Sequence, residues 1–231
     1  PPPFFFNTQC KKYRSQFTEE KKAVYEEKLE ASELFKDKKS LYPSSVSQPF
    51  KGDYLEISKN PKYHKLNSCV EEKVLLADVV NKINRANGKG ASRILLLTKK
   101  NVLLADQKTG QVKASVALPD LASVSVSTQN DGFFALKLRE VRGPPDARRK
   151  NFLLTYAYSL ASDLVQKSYI GSTASDDGVR LNIDITDEFL VQFKQDKVCV
   201  KFIQGAPKNG NGASCKRKNN RLLEVSVPAT A

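Results

Sequence analysis

Several residue patterns that carry chemistry are missing from this 231-residue chain, and each absence removes a class of function. The four cysteines (Cys10, Cys69, Cys199, Cys215) are scattered, with no C-x-x-C pair among them. No signal peptide is recognisable, so the expectation is a reduced intracellular compartment with buried or idle thiols. The single histidine, His64, sits in a basic loop-like stretch, Asn60-Pro-Lys-Tyr-His-Lys65, with no cysteine at metal-ligand spacing. No nucleophile elbow is present. Gly88-Lys89-Gly90 only faintly resembles a phosphate loop, since G-x-x-x-x-G-K-[ST] does not occur. The acidic pairs Asp176-Asp177 and Asp187-Glu188 fall at expected turns and read as solvated turn residues. The chain is therefore not expected to be an enzyme or to hold a metal or cofactor. No apolar run approaches the roughly 18 residues that span a bilayer, so any membrane contact is expected at its surface.

What the chain does have is positive charge. Lys and Arg number 38 against 25 acids, a formal charge of +13, while 40% hydrophobic and 27% charged residues read as globular. So large an excess points to a polyanionic partner: nucleic acid, acidic lipid or an acidic protein face. The excess is uneven. Residues 51–100 hold 11 basic and 5 acidic side chains, whereas residues 151–200 hold 4 and 7.

The order of elements narrows the fold. Pro1 to Phe6 suggests no regular structure. Thr18, followed by Glu19 and Glu20, starts a helix that runs to about Lys39 without Gly or Pro. Its sparse apolar residues (Val24, Tyr25, Leu29, Leu34, Phe35) predict a half-exposed helix that packs on something else. Pro43 and Pro49 mark an extended connector, taken to run over residues 40–68. Seven short strands then follow: Val74–Val80, Arg93–Thr98, Asn101–Ala105, Gln111–Ala117, Ala122–Ser127, Phe133–Leu138 and Asn151–Thr155. Tyr156 to about Ile170 reads as one amphipathic helix. Further strands are expected at Leu181–Ile185, Leu190–Phe193, Val198–Phe202 and Leu222–Val227, with Gly205 to Asn220 as a loop. Seven strands and a closing helix is the order of a pleckstrin-homology-like barrel. The expected class is thus α+β, mainly β, with the barrel over residues 69–172 and a β-hairpin extension over 173–231.

The charge concentrates on the first hairpin of that barrel. Residues 82–100 hold Lys82, Arg85, Lys89, Arg93, Lys99 and Lys100, with no acid among them. Lys82 is placed at the end of the first strand, Arg93 at the opening of the second, and Lys89 in the loop between. Arg can take a phosphate with two parallel hydrogen bonds, Lys supplies a mobile point charge, and loop N–H groups can add to both. Each basic residue near an anionic leaflet contributes about 1 kcal/mol. A charge run alone is more often a solvated face; its concentration on one hairpin favours a phosphorylated headgroup. Arg148-Arg149-Lys150 and Lys216-Arg217-Lys218 are candidates for the same face.

Several stretches resemble a known family. They are Glu33-Leu-Phe-Lys-Asp-Lys-Lys-Ser-Leu-Tyr-Pro-Ser-Ser-Val46, Asn81-Lys-Ile-Asn-Arg85, Ser92-Arg-Ile-Leu-Leu-Leu-Thr98 and Gln129-Asn-Asp-Gly-Phe-Phe134. Asp187-Glu-Phe-Leu-Val-Gln-Phe193 and Lys216-Arg-Lys-Asn-Asn-Arg-Leu-Leu-Glu-Val225 join them. Together they resemble the tail of short-tailed class I myosins, the b-type, brush-border-related subgroup, from about Cys10 to Val227. The resemblance implies a tail-homology domain containing a pleckstrin-homology fold. It also implies docking on the inner plasma membrane and vesicles through phosphoinositides and phosphatidylserine, with the actin cytoskeleton contacted only through an absent ATP-driven head. The family's lipid motif, a Lys ending the first strand and an Arg in the second, maps onto Lys82 and Arg93. Where some relatives carry another basic residue two positions before that Arg, this chain has Ala91, which implies weaker headgroup selectivity. Residues 1–17 correspond to the end of a neck and 18–39 to a post-neck helix. Only Cys10-Lys-Lys-Tyr-Arg14 resembles part of a calmodulin-binding motif, so tight binding of a calmodulin-type light chain is not expected.

Two other readings use the same charge. A nucleic-acid-binding module would be served by it, but the basic hairpin lacks interleaved aromatics for stacking, and Phe133 and Phe134 read as core. A protein-interaction module is the other, since pleckstrin-homology folds also take peptides.

Overall fold

The run Ile94-Leu-Leu-Leu97 has no polar alternation, and a strand of that kind needs cover on both faces. The structure, a computed structural model, describes residues 35–39, 52–84, 86–139, 152–156, 182–193, 196–205 and 213–229. Within them the chain forms twelve strands: β1 (Leu76–Ile83), β2 (Gly90–Leu97), β3 (Asn101–Asp106), β4 (Val112–Ala117), β5 (Leu121–Val126), β6 (Phe133–Leu138), β7 (Phe152–Tyr156), β8 (Asn182–Ile185), β9 (Glu188–Phe193), β10 (Asp196–Gln204), β11 (Ser214–Asn219) and β12 (Leu222–Val227). β1–β8 make one sheet in the order β4-β3-β2-β1-β7-β6-β5-β8. Two antiparallel meanders, β1–β4 and β5–β7, are joined through β1 and β7, the strand order of a pleckstrin-homology-like barrel.

Alternation along these strands sorts three cores. Leu76 and Val80 of β1, Leu95 and Leu97 of β2, Val102 and Leu104 of β3, Val124 and Val126 of β5 and Phe134 and Leu136 of β6 fill the barrel. On the opposite face, Ala77, Ile94, Leu96 and Ala105 are covered by Ile57, Tyr63 and Leu66. That cover explains why β2 carries leucines on both faces. It comes from residues 52–68, expected as part of an extended connector. There Asp53 accepts the N–H groups of Leu55 (3.2 Å) and Ile57 (2.8 Å), Asn60 caps a 3-10 turn at Pro61–Tyr63, and a four-residue helix, α1 (His64–Asn67), follows. His64 itself is exposed, as expected.

The third core joins a second sheet, ordered β11-β12-β10-β9, to the outer face of the barrel. Phe189, Val191, Val198, Val200, Phe202, Leu223, Val225 and Val227 pack there on Phe133, Ala135 and Ile83. The extension is therefore larger than the expected hairpin: β8 runs parallel to β5 in the barrel sheet, and β10 pairs in parallel with β12. Two local expectations are corrected. Lys216-Arg217-Lys218, expected in a loop, lies in β11, where Cys215 packs inward and Lys216 and Lys218 are exposed. Asp187-Glu188 is not an idle turn: Glu188 opens β9, and the Asp187 carboxylate accepts from Thr128 N (2.9 Å) and from the Thr128 hydroxyl.

The barrel also takes in the segment that precedes it. Phe35, 1% exposed, belongs to the barrel core. Four residues on, the Lys39 ammonium donates to Gln129 O (2.7 Å), Ser127 O (3.0 Å) and Ser127 Oγ (3.3 Å). Asp131, whose side chain is 0% exposed, lies 3.9 Å away and also takes a hydrogen bond from Ser127. Burial pulls Lys39 below the ordinary lysine range and pushes Asp131 above the ordinary carboxylate range, each opposed by the other's charge. Both groups shift toward neutrality, so desolvation outweighs their attraction and the carbonyl hydrogen bonds hold Lys39 in place. The rest of the helix expected over 18–39, and that expected from Tyr156, lie outside the described residues.

Removing Lys39 alone leaves Asp131 buried without its partner. Lys39→Met is expected to cost about 3 kcal/mol, and Lys39→Met/Asp131→Asn to recover most of that loss, both read by urea denaturation.

Candidate functional site

In an antiparallel pair, directly opposed residues project from the same face. Lys82 opposes Ala91 and Arg93 opposes Val80, so Lys82, Val80, Ala91 and Arg93 share one face of the β1–β2 hairpin. That face is the one whose deeper residues, Val80 and Leu95, are barrel core. Lys82 and Arg93 are thus the half-buried cations at the mouth of an apolar barrel. Arg93 is the fourth residue of β2 rather than its opening one, and the strand's extra residues at Gly90–Ser92 extend the hairpin beyond it.

Arg93 does not stand alone. Its Nη1 donates to Ser92 O (2.7 Å) and to Asp106 Oδ2 (3.2 Å), the residue opposite it on β3. Asp106 in turn is fixed by the turn after β3: its Oδ1 accepts from Lys108 N (3.1 Å), Thr109 N (3.0 Å) and the Thr109 hydroxyl (3.2 Å). These bonds, the Thr109 N–H foremost, hold the half-buried Asp106 carboxyl below the ordinary carboxylate range, with Arg93 adding to the effect. The absence of acids within residues 82–100 concealed this partner, because the third strand supplies it. Only the register could reveal it.

The loop between Lys82 and Arg93 is closed on itself. Asn84 N donates to Lys89 O (2.8 Å) and Gly88 N to Asn84 O (2.8 Å), while Asn84 Oδ1 takes Ala86 N (2.8 Å) and Asn87 Oδ1 takes Lys89 N (2.9 Å). The amides of Ala86, Gly88 and Lys89 are thereby occupied. Expected loop N–H contacts to a ligand reduce, at those three positions, to the side chain of Lys89, which is exposed. Lys99 and Lys100 lie in the turn beyond Leu97, the far end of β2, itself roughly 14 Å along the strand from Arg93 at about 3.4 Å per residue. There Lys100 pairs with Glu72 (3.3 Å), and neither lysine reaches the mouth. Lys216, Arg217 and Lys218 are brought near the loop by β11, where Lys218 pairs with Glu224 (2.8 Å). Arg85 and Arg148, Arg149 and Lys150 lie outside the described residues.

Other features do not compete as a site. A groove of about 730 Å³ between β6, β8, β9 and β10 is lined by Lys137, Asp184, Phe189, Leu190 and Cys199, and its Lys137 is already paired with Asp184 (3.4 Å). Burial pushes the Cys215 thiol up to about 12, so it is a packing group at neutral pH. Among the described residues no helix is long and apolar enough to cross a membrane, and no group of His, Cys, Asp or Glu has the arrangement of a metal site.

A mainly β, pleckstrin-homology-like module with two cations in its mouth is a binding domain. The chain belongs to the unconventional myosin tail family: residues 41–230 match the family described as "Unconventional myosin tail, actin- and lipid-binding". It is 62% identical over 220 residues to unconventional myosin-Ib of Mus musculus, covering 95% of this chain and 19% of that protein. It is 42% identical over 231 residues to unconventional myosin-Ia of the same organism, covering 96% and 21%. The chain spans about a fifth of the length of the curated relatives it matches. The class I myosin resemblance read from the sequence is thereby established. Among solved structures, the Slm1 PH domain in complex with inositol-4-phosphate is 16% identical, with a TM-score of 0.34, over 42% of this chain and 94% of that one. The fold assignment stands on the strand order rather than on that distant likeness.

The Arg93–Asp106 pair makes a pH prediction. Asp106 titrates below the ordinary carboxylate range, so its contribution to stability is present above that range and is lost as pH falls through the lowered value. The Arg93 guanidinium resonances should stay constant through the ordinary carboxylate range and shift only below it, and Asp106→Asn should abolish the shift.

Proposed function

We propose that this chain is the membrane-anchoring part of an unconventional class I myosin tail, and that it holds anionic lipid headgroups, phosphoinositides above all, at the barrel mouth. One observation carries the reading: Lys82 and Arg93, eleven positions apart in sequence, share the core-facing side of one hairpin where the barrel opens. Arg93, oriented by Asp106, presents its remaining N–H groups to a phosphate, and Lys82 with Lys89 supplies point charges beside it. Arg85 is included on its place in the loop sequence. Lys216, Arg217 and Lys218, with Arg148, Arg149 and Lys150, form the supporting charge that attracts a phosphatidylserine-rich leaflet. With the exposed Ala91 standing opposite Lys82 where a further cation could be, selectivity among phosphoinositides rests on few contacts, and general electrostatics carries a large share of the affinity. The protein then sits peripherally on the inner face of the plasma membrane and on vesicles, linking them to actin.

The nucleic-acid alternative is disfavoured because Phe133 and Phe134, the nearest aromatics downstream of the hairpin, are both buried in cores. The family's description names actin beside lipid, so the same preparation is tested on both.

The test is vesicle co-sedimentation across a salt series. Lys82→Ala and Arg93→Ala should each weaken binding to phosphoinositide vesicles about tenfold, as expected for losing a charge-assisted contact of about 1.4 kcal/mol. Lys99→Ala, at the far end of the hairpin, should change it less than twofold. Equal losses in all three would leave only a diffuse patch, and binding to oligonucleotide in place of vesicles would overturn the reading. An F-actin arm reports whether the tail itself contacts filaments.

A further inference from the structure

The β1–β2 loop is held at both ends by a sheet that lies outside the barrel. At its root, Ile83 ends β1 and belongs to the core of the second sheet, with Phe133, Phe189, Val200, Phe202 and Val225. At its tip, Gly88 is buried against the backbone of β11. A Cβ at this position would lie 2.8 Å from the Cys215 carbonyl oxygen and 3.1 Å from both Cys215 C and Lys216 Cα. Those neighbours are main chain and cannot swing aside as a side chain would. Gly88 also adopts φ +74°, in the left-handed region. The close approach that glycine permits here is to β11, the edge strand of the second sheet.

This contact sits within one residue of two exposed lysines. Lys89 follows Gly88, and Lys216 follows Cys215. Lys218, the next lysine outward on β11, is paired with Glu224, whereas no ion pair holds Lys89 or Lys216 among the described residues. The loop that carries Lys89 keeps its shape through the Asn84 and Asn87 hydrogen bonds, and Ile83 and Gly88 hold it against the second sheet.

We propose that the second sheet is part of the headgroup site. By seating the loop through Ile83 and Gly88, it fixes Lys89 relative to Lys82 and Arg93, and Gly88 is the positioning residue that makes the seat possible. The proposal rests on the reading of Lys82 and Arg93 as headgroup contacts. A multiply phosphorylated inositol ring needs cations at fixed separations, whereas a monoanionic leaflet needs only their number. Disturbing the seat therefore removes the preference for phosphoinositide while leaving attraction to phosphatidylserine.

The experiment compares phosphoinositide vesicles with phosphatidylserine vesicles of equal surface charge. Gly88→Ala is expected to lose about tenfold on the first and less than twofold on the second. Gly88→Asn should behave alike, because Asn tolerates positive φ but still carries a Cβ. Gly205→Ala, whose Cβ meets nothing within 4 Å, should match the parent. Lys216→Ala should weaken both vesicle types by a similar, smaller factor. Lys82→Ala in the same series separates the two claims. If it keeps the phosphoinositide preference, the headgroup reading fails. If it loses that preference while Gly88→Ala keeps it, only the role of the second sheet fails. Should Gly88→Ala not fold, hydrogen exchange on the unaltered chain with inositol trisphosphate decides. Slowed exchange in Asn84–Lys89 together with Ser214–Arg217 supports the proposal, and slowing in Asn84–Lys89 alone overturns it.

Discussion

Antiparallel register between β1 and β2 governs what the barrel mouth can hold. With Lys82 opposite Ala91 and Arg93 opposite Val80, every second residue of both strands faces inward. That face carries Leu76, Asp78, Val80 and Lys82 on β1 and Leu97, Leu95, Arg93 and Ala91 on β2, with the two cations toward its outer end. A slip of one position between the two strands would turn one strand over, leave Lys82 and Arg93 on opposite faces, and carry that strand's apolar residues away from the cores they fill. The register is held by apolar burial on both faces of β2, so the geometry of the site is tied to the stability of the fold.

The barrel is also embraced from outside. Phe35 enters its core and Lys39 is bound to the β5–β6 turn, so the segment that precedes the domain is locked to it within five residues. On another flank the second sheet buries Ile83, Phe133 and Ala135. These attachments restrict motion around the mouth from two directions. They also show why charge placed on β11, more than a hundred residues from the hairpin in sequence, returns beside it in space.

Much of the fold was legible in the chain. Seven strands in order, and the strands at Leu222–Val227 and Phe133–Leu138, follow from alternation and from Gly and Pro punctuation. That Lys82 and Arg93 share one hairpin was legible as well, since residues 82–100 are dense in base and free of acid. Other features were hidden for physical reasons. Asp106 is an ordinary turn acid until register sets it opposite Arg93. Lys216-Arg217-Lys218 reads as loop because an edge strand with one solvated face needs few apolar residues to hold its place. Gly88 reads as a flexible loop residue, and its purpose appears only when β11 lies within van der Waals reach. Residues 52–68 look like a connector because their apolar anchors, Ile57, Tyr63 and Leu66, have no simple period.

If one headgroup is shared between Lys82 and Arg93, the two must act together, and a double-mutant cycle tests this most directly. Phosphoinositide affinity is measured for the parent, Lys82→Ala, Arg93→Ala and the double variant. Residues engaged on one ligand show coupling of about 0.5–3 kcal/mol, so the double variant should lose clearly less than the two single losses combined. Strict additivity, with each lysine or arginine contributing alone as in a diffuse surface field, would contradict the account.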